Sequence, residues 1–338
     1  MIFSTKLSQG LIDLRHLFSS LLVATYLVEV IWCSPISLLQ QRAPTITPVI
    51  DVDFPDPAIL QDSDNTYYAF ATDGNGKNVQ VAQASSPSGP WKVLPNDLLP
   101  TPGNWSTGQN VWAPDVRKIG SIYVLYYSAT DTAQTAQHCV GTATSNSILG
   151  PYTAADTPLA CPLSAGGAID SSGFTDTDGT HYVVYKVDGN SIGHGGPCGN
   201  ADAPIVPTPL MLQQLASDGV TAVGDPMQLL DRSDADGPLI EAPNLILVNG
   251  IYVSFFSGNC YTTPLYDVSY ATASSLKGPY TKSHAPLIVT GDPFNITTPG
   301  GAQATVDGKS LVFHANCDAG RCMFERAISI SGTSVSIS

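Results

Sequence analysis

Leu149-Gly150-Pro151-Tyr152 is a turn that the chain uses again as Ser88-Gly89-Pro90-Trp91 and Lys277-Gly278-Pro279-Tyr280. Each copy follows a stretch of Ala, Thr and Ser and precedes a short extended segment. Outward from these turns lie aromatic and β-branched runs at residues 66–71 (TYYAFA), 122–128 (IYVLYYS), 181–186 (HYVVYK), 251–257 (IYVSFFS) and 310–314 (SLVFH). Each follows a polar or Gly-containing turn, which is a hairpin signal. A second run follows each one, at 79–84, 140–143, 210–215, 268–273 and 323–330. Helical periodicity is nearly absent after Gln41. The repeating unit therefore reads strand, hairpin, strand, turn, strand, turn, strand. Five such units start near Phe54, Ala113, Ala168, Ile240 and Gly301, roughly 60 residues apart. A four-stranded unit repeated five times predicts an all-β, five-bladed β-propeller with four antiparallel strands per blade. Radial packing also leaves only short, protected sheet edges. A β-sandwich is the alternative, but it does not account for the recurring aromatic turns.

Composition narrows the class. The 338 residues include 43% hydrophobic and only 12% charged side chains, with a net charge of −14. That is enough apolar material for a core. The acidic balance, with no basic run, argues against a nucleic-acid partner, which would need cations to replace the counterions on phosphate. Residues 1–37 read as a secretory signal peptide and short N-terminal segment. Lys6, Arg15 and His16 precede an apolar stretch from Leu17 to about Val28, interrupted by Glu29. That stretch is short of the roughly 20 residues a bilayer span needs, although a signal anchor is the alternative. Residues 38–338 are expected to form the single propeller domain, secreted, monomeric and free of the membrane after processing.

Cys33 falls in the signal segment, and an even set remains: Cys139, Cys161, Cys198, Cys260, Cys317 and Cys322. This suits an oxidising compartment. Cys317 and Cys322 are close enough to pair locally, and the guess for the rest is Cys139–Cys161 and Cys198–Cys260. No CxxC pair exists, which speaks against zinc. Asn104-Trp105-Ser106 and Asn295-Ile296-Thr297 are glycosylation sequons. Asp62-Ser63-Asp64-Asn65 and Asp176-Thr177-Asp178-Gly179 look faintly like calcium loops but lack the closing acid, so they read as hairpin turns.

The first strand of each propeller blade lines the channel, and four of the five carry an acid: Asp56-Pro57-Ala58-Ile59, Ala113-Pro114-Asp115-Val116, Ala168-Ile169-Asp170-Ser171 and Ile240-Glu241-Ala242-Pro243. The fifth has Gly300-Gly301-Ala302-Gln303. Carboxylates converging at one channel mouth push their pKa values apart, as an acid/base pair requires. Three of these motifs, in order, resemble those of glycoside hydrolase family 43, the five-bladed propeller arabinofuranosidases, arabinanases and β-xylosidases. They are Phe54-Pro55-Asp56-Pro57-Ala58-Ile59, then Ala168-Ile169-Asp170 with Phe174, Asp176, Asp178-Gly179 and Tyr182, then Glu241-Ala242-Pro243 with Gly250-Ile251-Tyr252. The resemblance covers about Phe54 to the end of the sequence.

The resemblance implies glycoside hydrolysis with inversion, with Asp56 as general base, Glu241 as general acid and Asp170 as the group that tunes and orients Glu241. An inverting pair needs a gap of about 6.5–9.5 Å for the attacking water. Asp53 lacks the following Pro and is not expected to act. Trp112, Asp115, His194 and Arg321 are candidate substrate contacts. Trp112 offers a flat platform or an inter-blade anchor, and Asp115 a contact or a structural acid. His194 lies in the Gly-rich insertion 191–198, and Arg326 competes with Arg321. His314 matches a blade-five His common in the family, which implies an axial position and at most a water-mediated hold on one Ca²⁺ or other ion; no cofactor is otherwise required. The implied partner is a plant cell-wall polysaccharide or an arabino- or xylo-oligosaccharide. Arabinofuranosidase or arabinanase action is favoured over β-xylosidase, because many family xylosidases carry a further β-sandwich domain for which the sequence leaves no residues. A non-catalytic sugar-binding propeller is the alternative of another class; it would be expected to lose the acids.

Overall fold

The computed structural model describes residues 44–338. The expected signal segment and Cys33 lie outside the described residues. The described chain is a five-bladed propeller of five four-stranded antiparallel sheets. Blade 1 holds β1 (Ala58–Gln61), β2 (Tyr67–Ala71), β3 (Gln80–Ala84) and β4 (Lys92–Val93). Blade 2 holds β5 (Trp112–Ile119), β6 (Ile122–Thr130), β7 (His138–Ser145) and β8 (Thr153–Ala154). Blade 3 holds β9 (Ala168–Thr175), β10 (His181–Val187), β11 (Leu210–Leu215) and β12 (Ala222–Leu230). Blade 4 holds β13 (Ile240–Val248), β14 (Ile251–Gly258), β15 (Asp267–Ala273) and β16 (Thr281–Lys282). Blade 5 holds β17 (Gly300–Ala304), β18 (Ser310–Cys317), β19 (Gly320–Ser331) and β20 (Ser334–Ile337). The first strands β1, β5, β9, β13 and β17 touch in ring order around the axis.

The second strands show why these sequences read as continuous apolar runs. A strand inside a propeller has a neighbouring blade on each face, so both sets of alternate side chains are buried. Leu125 and Tyr127 of β6 pack with Phe70, Val81 and Leu98 of blade 1. Val124 and Tyr126 of the same strand pack with Val183, Tyr185 and Leu215 of blade 3. On β18, Leu311 and Phe313 face Val253 and Phe255 of blade 4, while Val312 joins Phe54, Ile59 and Ala69 of blade 1. Phe174, Val184 and Leu212 meet Leu245 and Leu276 between blades 3 and 4. The core is thus divided among the blade interfaces, where each fully buried Leu or Phe contributes about 1.5–3 kcal/mol.

The repeated turns lead into the two-residue fourth strands of blades 1, 2 and 4. Their glycines, Gly89, Gly150 and Gly278, sit at φ of 88°, 65° and 81°, which only glycine adopts without strain. Asp62–Thr66 and Asp176–Thr180 close the first hairpins of blades 1 and 3, so both are turns, as their sequence predicts. The segment ahead of β1 runs along blade 5: the Val49 N–H donates to the Met323 carbonyl (2.8 Å) and the Phe54 N–H to the Arg321 carbonyl (2.8 Å).

Candidate active site

Each first strand enters its sheet through a residue in the left-handed region: Asp56 (φ 52°), Ala113 (43°), Asp170 (59°), Ala242 (52°) and Gly301 (58°). In blades 2 to 5 the pairing with the second strand slips there. This bulge aims the residue and its predecessor at the channel mouth. Non-glycine residues pay strain in this region, and such strain gathers at functional sites.

The strained turns are held by one repeated hydrogen bond. The N–H of each left-handed residue donates to a side chain on the blade before it. Ala113 donates to Thr72 Oγ1 (2.9 Å), Asp170 to Ser128 Oγ (3.0 Å), Gly301 to Ser257 Oγ (2.9 Å) and Asp56 to His314 Nδ1 (3.0 Å). These acceptors occupy one equivalent slot at the end of the second strand: Trp112 pairs with Ser128, Glu241 with Ser257 and Gly300 with His314, and the Thr72 N–H meets the Pro55 carbonyl. In blade 3 the slot, opposite Ile169, holds Lys186. An ammonium has donors only, so Ala242 N–H turns to Asp170 Oδ2 instead (2.9 Å).

On the blade 1 side, Asp56 Oδ2 accepts the Thr72 hydroxyl (2.6 Å), and Oδ1 lies 3.3 Å from Arg321 Nη1. Burial pushes the Asp56 carboxyl up, but the Arg321 guanidinium and the Thr72 hydroxyl hold it below its ordinary value. Because His314 Nδ1 accepts the Asp56 N–H, its ring hydrogen sits on Nε2. Burial, then Arg321, lowers His314 to about 3 and keeps it neutral. Its ring stacks on Tyr266, with centroids 5.8 Å apart. A Cβ at position 300 would overlap that tyrosine ring, which is why blade 5 carries glycine where blade 4 carries Glu241.

On the blade 3–4 side the balance is reversed. Burial, followed by the neighbouring Glu241, pushes Asp170 up to about 8, despite the opposing pull of Lys186. Glu241 Oε2 accepts from Lys186 Nζ (3.0 Å). Lys186 is 0% exposed, and its Nζ also lies 3.0 Å from Asp188 Oδ1. Burial works against its charge, but Asp188, Glu241 and Asp170 outweigh it and keep Lys186 a cation.

Asp56, Asp170 and Glu241 line one cavity of about 330 Å³, a size typical of small-ligand sites. Trp112 and Arg321 line it too, as the sequence predicts. Trp112 lies flat on His138, with centroids 3.8 Å apart and planes 23° apart. The Arg321 guanidinium sits 5.2 Å over the Tyr261 ring. The cysteines pair as Cys139–Cys161, Cys198–Cys260 and Cys317–Cys322. Cys198–Cys260 ties the blade 3 insertion to the loop carrying Tyr261, and Cys198 itself reaches the cavity wall. Asn104 and Asn295 are exposed.

Two expected substrate contacts are corrected. Asp115 does not line the cavity. It is 2% exposed and lies below it in the axial channel, where it accepts from Arg117 Nε (2.8 Å), Gly173 N–H (2.6 Å) and Gln303 Nε2 (3.1 Å). Both oxygens are committed to joining blades, so the acid is structural. His194 is exposed and away from the cavity; the insertion touches it through Asn190 and Cys198 instead. Asp53 accepts the Arg321 N–H (2.8 Å) and stands outside the cavity, as expected. Arg326 lies over Phe294 rather than in the cavity. His314 does not line the cavity either, and its Nε2 is buried without a partner among the described residues. With its hydrogen there, Nε2 is a donor and not a direct metal ligand.

Sequence reasoning missed Lys186, Asp188, His138, Tyr261 and Tyr266. Lys186 left a trace. Aligning the second strands sets FAT, YYS, FFS and FH beside YK, so a lysine stands in a slot otherwise filled by Thr, Ser or His. The others come from loops and strand ends with no repeat to mark them.

The family model for "Glycosyl hydrolases family 43" matches residues 45–334. A probable arabinan endo-1,5-α-L-arabinosidase A of Aspergillus flavus is 41% identical over 97 residues, 28% of each chain. The matched segment thus spans under a third of that relative. An extracellular endo-α-(1→5)-L-arabinanase 1 of Bacillus subtilis is 26% identical over 277 residues, 77% of this chain and 79% of the relative. Among solved structures, a thermostable family-43 glycoside hydrolase superposes with a TM-score of 0.72 at 24% identity, covering 87% of this chain and 94% of that one. A match over nearly all of the propeller, on a fold with five blades and acids at its mouth, means that the chain belongs to glycosyl hydrolases family 43.

Proposed function

We propose that the protein is a secreted, inverting glycoside hydrolase that cleaves α-L-arabinofuranosyl linkages of plant cell-wall arabinan or arabinoxylan. The observation that carries this reading is the meeting of Asp56, Asp170 and Glu241, from three blades, on one cavity with opposite electrostatic surroundings. Asp56, kept ionised by Arg321, takes a proton from water as the water oxygen bonds to the anomeric carbon. Glu241 gives its proton to the departing oxygen as the glycosidic bond breaks. Asp170 sits beside Glu241, and the two carboxyls resist ionising together, so the pair keeps a proton for that transfer. Trp112, backed by His138, offers a ring face to a sugar, and Arg321 and Asn190 offer hydrogen-bond donors.

The names of the Aspergillus and Bacillus relatives support arabinan over xylan as substrate. The three disulfides support an oxidising, extracellular setting, and the Bacillus relative is named as extracellular. Among the described residues no helix is long and apolar enough to cross a membrane. For an axial cation, His314 fits only through a water that accepts its Nε2 hydrogen, and no step is assigned to such an ion.

Product analysis on linear arabinan, sugar-beet arabinan, arabinoxylan and xylo-oligosaccharides tests the reading. Arabinose alone from linear arabinan means exo action, and mixed oligomers mean endo action. Xylose alone moves the assignment to β-xylosidase. No product from any of them overturns the enzymatic reading in favour of a sugar-binding propeller.

A further inference from the structure

We infer that Lys186 is a positioning residue that aims the acid Glu241 and, by leaving its own slot without an acceptor, places Asp170 beside it. Thr72, Ser128, Ser257 and His314 each accept an N–H from the following blade. A lysine in that slot cannot, so the Ala242 N–H draws in Asp170 Oδ2. Ala242 follows Glu241 directly, and this bond therefore fixes Asp170 against the backbone of the acid. The same lysine holds Glu241 Oε2 at 3.0 Å. That leaves Oε1 to face the departing oxygen.

The ion pair also acts during the reaction. Once Glu241 has given up its proton it is an anion, and a fixed cation at 3.0 Å stabilises that charge without reorganising. Lys186 is divided, however. Asp188 Oδ1 is equally close and offsets part of the attraction. The charged and titratable groups packed around this pair are Asp170 from β9, Asp188 at the end of β10 and Glu241 from β13. His138 of β7 faces Asp188, and Tyr266 of blade 4 faces Glu241. Asp56 acts on Asp170 from blade 1.

The inference rests on Glu241 being the acid, so the test carries its own control. Aryl α-L-arabinofuranosides with good and poor leaving groups are compared across pH. For Lys186→Met the expected loss in kcat/KM is about 10- to 100-fold on the poor leaving group, and only a fewfold on the good one. The basic limb of the pH profile moves up, because Glu241 holds its proton more tightly. Asp188→Asn shifts the same limb down, because Lys186 then acts on Glu241 undivided; this second variant decides the matter if Lys186→Met does not fold. Equal losses on both substrates with unmoved limbs, while Glu241→Gln keeps its leaving-group dependence, overturn the role of Lys186 alone. A Glu241→Gln variant without leaving-group dependence removes the reading of Glu241 and the inference with it.

Discussion

Asp56 and Asp170 occupy the same strained position in blades 1 and 3, yet one carboxyl is held below its ordinary value and the other is pushed above it. Both are buried, and burial pushes both up. Their neighbours decide between them. Asp56 has Arg321 and a donating threonine hydroxyl; Asp170 has a second carboxyl whose own cation is shared with Asp188. A repeated fold thus supplies one backbone geometry several times, and the side chain brought in by the neighbouring blade sets the chemistry.

The largest effect that would break this comparison is loss of either carboxyl proposed to react. Asp56→Asn and Glu241→Gln are each expected to lower kcat by about 10²- to 10⁴-fold. Only Glu241→Gln should recover on an aryl glycoside with a good leaving group; the same recovery for Asp56→Asn in steady-state assays would reverse the two roles. Arg321→Met comes next. It removes the cation that keeps Asp56 below its ordinary value, so the acidic limb of kcat/KM should move up and activity should be lost first at low pH. An unmoved limb would mean that the hydroxyl of Thr72 alone ionises the base.

Asp170→Asn sharpens the other half. A carboxyl whose folded pKa lies above its unfolded value of about 3.9 binds its proton more tightly when folded. Its stabilising contribution is full below that unfolded value and is lost as pH rises through the folded one. Denaturant unfolding should therefore show stability falling between pH 4 and pH 8 more steeply in the native protein than in Asp170→Asn. Parallel curves would place the proton elsewhere. The smallest effect is expected for His194→Ala, where KM should change by less than about twofold; a larger change would bring the insertion back into the site.

The sequence was most legible where chemistry and repeat coincide. The blade count, the hairpins and the three acids follow from motifs that recur at matched places. Strand ends were less so: residues 140–143 mark only the middle of β7, His138–Ser145, because its flanks are polar yet still paired. Asp115 misled for a related reason. It stands in a first strand like Asp56, Asp170 and Glu241, but two places after the left-handed Ala113, and on a strand that short step takes it from the channel mouth into the axis. No local pattern announces the Trp112–His138 stack or the Tyr261 wall, because both depend on which loops meet in space.

The pairing of residues 49–54 with β19 has a consequence for how activity is lost. A closed ring can be opened most readily where its two chain ends are joined, and here that joint carries Asp56 on one side and Arg321 on the other. Unzipping those few backbone bonds would part Asp56 from its guanidinium while Glu241 and its lysine stayed packed between blades 3 and 4. Heat inactivation would then run ahead of any spectroscopic sign of melting, and the first function to fail would be the activation of water.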